Sequence, residues 1–89
     1  MNMERIVNDF RSFLKSKIQP SVIEEFIYCF QEFASEASAI GYNFESNDSQ
    51  KITVIIQRLR NSGRKQGYIL ILKWVLKWFY EMKKFAPLQ

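Results

Sequence analysis

The apolar positions along this 89-residue chain recur at helical spacing in four runs, with turn residues between them. The first run is Ile6, Val7, Phe10, Phe13 and Leu14, a single stripe that predicts an amphipathic helix over residues 3–16. Gln19-Pro20 stops it, because the residue before a proline disfavours the helical region. The second run is Val22, Ile23, Phe26, Ile27, Phe30, Phe33, Ala34 and Ala37. Ser21 and Glu24 at its start have capping-box spacing, and Gly41 stands where a left-handed residue closes a helix. Residues 42–46 read as a short loop.

A third helix is expected from Asn47, acting as N-cap with Gln50 three residues on, to the breaker Asn61-Ser62-Gly63. Ile52, Ile55, Ile56 and Leu59 are its inner positions. The segment Ile52-Thr53-Val54-Ile55-Ile56 is β-branched and could form a strand, but no partner strand exists elsewhere and the end signals are helical. The fourth helix, over residues 65–85 with Pro87 beyond it, puts Tyr68, Ile69, Leu72, Val75, Leu76 and Phe79 on one face. Gln66, Lys73, Lys77, Tyr80 and Lys84 form a neighbouring stripe, and Leu70, Ile71, Trp74 and Trp78 take the remaining sides. A helix apolar around most of its circumference belongs at the centre of a fold. Gly67 in its first turn points to close approach of another backbone. Short connections between four helices predict an all-α fold, a compact antiparallel or orthogonal bundle forming one domain over residues 1–86.

Charge changes this picture more than composition does. Residues 51–89 hold nine basic side chains against the single acid Glu81, a net of +8, whereas residues 1–50 hold four bases and eight acids. A basic half on a small helical protein is the footprint of a polyanion binder. Arg58, Arg60, Arg64 and Lys65 surround the turn before the fourth helix, where free backbone N–H groups favour anions. Arg64 and Gln66 also have side chains able to form bidentate pairs with guanine and adenine edges. Lys73, Lys77 and Lys84 would track phosphates alongside. A solubilising face is the alternative for these residues. Trp74, nearly opposite Leu72 and Leu76, is a candidate interface residue, while Trp78 is expected in the core.

Other chemistry is sparse. There is no histidine, the commonest general base, and no Gly-rich phosphate loop or cysteine cluster. Catalytic residues, metal ligands and cofactors are therefore not expected. The lone Cys29 lies among Phe26, Phe30 and Phe33 and reads as a small buried hydrophobe. It cannot form an internal disulfide, which fits a reducing, cytoplasmic setting, and no signal peptide is evident. Glu24, Glu25, Glu32 and Glu36 of the second helix read as a solvated face. The longest apolar stretch, interrupted by Lys73 and Lys77, is too short to span a membrane.

The order of elements resembles the N-terminal core-binding, SAM-like domain of tyrosine recombinases and phage integrases, over roughly Arg5 to Pro87. The residues that carry the likeness are Ile6-Val7-Asn8-Asp9-Phe10-Arg11-Ser12-Phe13-Leu14, then the spaced aromatic pattern from Ser21 to Phe33. Gly41, the short helix from Ile52 to Leu59, Gly63, the pair Trp78-Phe79 and finally Ala86-Pro87 follow in order. The resemblance implies a four-helix SAM-like orthogonal bundle that clamps duplex DNA at a recombination site, with residues 87–89 beginning a linker. It also implies catalysis in a separate C-terminal domain, which this chain lacks, and a contact with that domain or a neighbouring protomer. Acids on the second helix would repel phosphates, so no residue of that helix is carried over as a contact. The runner-up is a protein-interaction, or oligomerisation, module using the fourth helix. Attachment to a membrane surface comes last.

Overall fold

A proline, two glycines and an aspartate fix the helix ends. The computed structural model describes residues 3–46 and 48–85 and contains α1 (Met3–Leu14), α2 (Pro20–Ala39), α3 (Ser49–Asn61) and α4 (Gln66–Phe85). The described residues thus form an all-α, four-helix bundle, as the periodicity predicts. Pro20 occupies the first position of α2, where its missing N–H costs no helical bond, and Gln19 is an N-cap without a side-chain bond. The capping box expected at Ser21 and Glu24 does not form. Glu24 instead accepts two hydrogen bonds from Arg11, from Nε at 2.8 Å and Nη2 at 3.1 Å, which tie α1 to α2.

Gly41, at φ 72°, closes α2 as expected. Tyr42 N–H donates to Ala37 O at 2.8 Å and Gly41 N–H to Ser38 O at 3.1 Å, the Schellman pair. Gly63, at φ 93°, follows α3 in the same role. The expected cap Asn47 lies outside the described residues. Asp48 caps α3, its carboxylate accepting from the N–H groups of Gln50 at 3.0 Å and Lys51 at 3.3 Å. The β-branched segment is helical, with Ile55 and Leu59 buried and Ile52 and Ile56 half-buried. Gly67 faces open space, so no backbone approaches it closely.

The sequence places α4 alone at the centre; the structure gives that place to α2 and α4 together. Each packs against all three other helices, whereas the backbones of α1 and α3 do not approach each other. Four phenylalanines fill the middle. Phe30 meets Phe79 at 4.7 Å between centroids, Phe10 at 5.2 Å and Phe44 at 5.6 Å, the last edge to face. Such pairs add to plain area burial. Phe44 comes from the segment that reads as an ordinary loop, yet it is only 4% exposed. Tyr80 holds that loop down, its hydroxyl donating to Phe44 O at 2.7 Å, and burial pushes its ionisation upward.

Candidate nucleic-acid interface

The turn between α3 and α4 brings Arg58, Arg60, Arg64, Lys65 and Gln66 to one end of the bundle, but it does not leave them equivalent. Arg58 Nε donates to Glu36 Oε2 at 2.8 Å. Arg64 is paired with Glu32, and its guanidinium lies 5.3 Å from the centre of the Tyr68 ring. The Tyr68 hydroxyl donates to the other Glu32 oxygen at 2.7 Å. Two of the four cations expected to contact phosphate, Arg58 and Arg64, therefore already hold carboxylates. The cause is geometric: Glu32 and Glu36 are one helical turn apart on α2 and face the end of α3 and the start of α4. The solvated acidic face expected on α2 holds for Glu24 and Glu25, which are exposed, but not for Glu32 and Glu36, which are half-buried in ion pairs.

Arg60, Lys65 and Gln66 remain exposed, and neither cation makes an ion pair among the described residues. Arg60 lies in the last turn of α3, while Lys65 and Gln66 stand at the start of α4, where the first N–H groups lack helical acceptors. Further along, Lys73, Lys77 and Lys84 are exposed, likewise without ion pairs among the described residues. Tyr80 leaves the stripe assigned to it, because its hydroxyl turns inward to Phe44. Lys83 pairs with Glu45 at 2.8 Å.

Trp74 is 51% exposed and Leu70 52%, so the outer face of α4 is apolar at its middle, as the interface assignment of Trp74 requires. Trp78 is half-buried against Phe13, at 6.5 Å between ring centres. Lys77 Nζ lies 4.7 Å from the Trp74 ring centre and 4.8 Å from that of Trp78. Lys17 Nζ lies 5.4 Å from Phe13 and 5.7 Å from Trp78. Lys17 and Phe13 are residues the sequence reasoning missed. They reach this surface from the far end of the chain, and no local signal marks them.

An open groove of about 590 Å³ separates α2 from the start of α4, lined in part by Glu25, Cys29, Arg64, Lys65 and Tyr68. Cys29 is buried, and burial with the nearby Glu25 and Glu32 charges pushes its thiol up to about 11. Such a thiol is inert at neutral pH. Burial and the bond to Glu32 likewise hold the Tyr68 phenol protonated. Among the described residues no group of three or more His, Cys, Asp or Glu could hold a metal ion, and no helix is long and apolar enough to cross a membrane.

No protein-family model, curated protein or solved structure matches this chain.

Proposed function

We propose that the chain is a duplex-DNA-binding module of the kind that core-binding domains of tyrosine recombinases provide, with no catalysis of its own. The observation that carries this reading is five exposed cations without ion pairs among the described residues, Arg60 and Lys65 at the α3–α4 turn and Lys73, Lys77 and Lys84 along α4. At the helical rise, Lys65 to Lys84 spans about 28 Å, which equals about eight base-pair steps of duplex. Arg60, Lys65 and the free N–H groups of α4 grip phosphates at one end, and the lysines track the backbone beyond. Gln66, exposed at the start of α4, supplies an amide of the kind that pairs with an adenine edge.

Titrating the chain with duplex DNA while varying salt tests this. Five phosphate contacts give a slope of about −4.5 in log K against log salt, a loss of about five-hundredfold between 50 and 200 mM. Replacing Arg60 and Lys65 with alanine weakens binding across sequences. Absence of binding to any duplex at low salt, or binding indifferent to salt, refutes the proposal.

A further inference from the structure

Aromatic rings and ammonium groups alternate across the α1–α4 surface. In order they are Phe13, Lys17, Trp78, Lys77, Trp74 and Lys73, with neighbouring ring-to-cation distances of 5.4, 5.7, 4.8 and 4.7 Å along the first five. The row begins half-buried at Phe13 and Trp78 and ends exposed at Trp74, where Leu70, Lys73 and Lys77 complete a shallow apolar depression. A plain protein-binding face needs apolar area, but not a cation between each pair of rings. A duplex presents phosphates but keeps its base faces stacked inside. An unpaired strand presents both at once, bases for the rings and phosphates for the ammonium groups.

We infer that this row is a platform for an unpaired DNA strand, with a base stacked on Trp74 and the flanking phosphates held by Lys73, Lys77 and Lys17. It rests on the nucleic-acid reading of the basic surface but not on the duplex contact at the α3–α4 turn. Gln66 and Trp74 are eight residues apart on α4, about 12 Å along its axis. Where a duplex held at Lys65 and Gln66 ends short of Trp74, its unpaired strand meets Trp74 within a few nucleotides, and Lys73 and Lys77 hold that strand's phosphates in place of the duplex backbone.

Three probes separate the possibilities: an oligo-dT strand, a blunt duplex, and that duplex with an oligo-dT tail. Trp74 is exposed and outside the core, so its replacement leaves the fold intact, which thermal melting verifies. Oligo-dT is expected to quench indole fluorescence in the native chain. Trp74→Ala weakens oligo-dT and tail binding about tenfold, Trp74→Leu does the same, and Trp74→Phe keeps most of it, while the blunt duplex is unaffected. Loss of blunt-duplex binding with retained tail binding sinks the duplex proposal and leaves this one standing. Leucine serving as well as phenylalanine overturns the platform, because stacking needs a π-face. So does equal weakening of blunt duplex and single strand. A light-scattering mass that falls from dimer to monomer in Trp74→Ala, with oligo-dT binding unchanged, reassigns the face to protein contact. An oligo-U strand bound more tightly than oligo-dT assigns the platform to RNA and overturns the DNA assignment.

Discussion

Replacing Glu32 with glutamine should make this protein bind DNA more tightly. In the native chain Glu32 holds Arg64 with one oxygen and receives the Tyr68 hydroxyl with the other. Glutamine keeps an acceptor for Tyr68 but loses the charge that retains Arg64. The guanidinium is then free to meet a phosphate, and each recruited cation adds about 0.9 to the salt slope, equal to about eightfold in affinity at 0.1 M salt. Glu36 holds Arg58 at 2.8 Å in the same way, so the double variant should gain about sixtyfold. Anisotropy titrations of a labelled duplex at several salt concentrations measure both slope and affinity. Glu25→Gln is the control, since Glu25 is an exposed acid on the same helix that makes no ion pair among the described residues. It removes the same charge without freeing an arginine and should gain less. If Glu32→Gln binds more weakly than the native chain, or gains no more than Glu25→Gln, the α2 carboxylates do not compete with phosphate for these arginines.

Alkali should destabilise the fold as pH rises above 9.0, the ordinary value of the thiol. The Cys29 thiol is raised by burial from an ordinary value of 9.0 to about 11. Its stabilising contribution is complete below pH 9 and is lost as pH rises toward 11, because only the unfolded chain has given up the proton. One such group lowers stability by about 1.4 kcal/mol per pH unit in that window. Tyr68 and Tyr80, both held protonated chiefly by burial, extend the loss above their ordinary value of 10.0. Urea melts at stepped pH should show this slope, and Cys29→Ala should flatten its first part; an unchanged slope refutes the assignment. Phe44→Ala should cost about 3–5 kcal/mol in urea denaturation, as for a core ring, and a loss under about 1 kcal/mol would mean the ring contributes as an ordinary loop residue.

What the sequence makes legible here is what depends on near neighbours. Gly41 and Gly63 end helices because their own backbones must turn left-handed, and the stripe from Ile69 to Phe79 is buried because its spacing matches one helix face. Pro20 overrode Ser21 at the start of α2, a competition between two local signals that can be weighed only once the backbone is known. Phe44 gives no periodic signal, since it stands alone between helices. Arg58 and Arg64 are the instructive pair. Their charge is plain from the sequence, but their partners lie 22 and 32 residues back on α2. Counting charge by halves of the chain separates groups that the fold joins. The row from Phe13 to Trp74 is hidden for the same reason, being assembled from the two ends of the chain.

The unequal packing of the helices has a mechanical consequence. α3 fully buries only Ile55 and Leu59, whereas α2 buries seven residues, and the backbone of α3 does not approach that of α1. Of the four helices α3 thus has the fewest fully buried side chains, the property that favours local opening while the other three helices stay packed. Arg58 and Arg60 ride on this loosely seated helix, while Lys73 and Lys77 are fixed to the α2–α4 spine. The basic surface thus combines a rigid rail with an adjustable jaw.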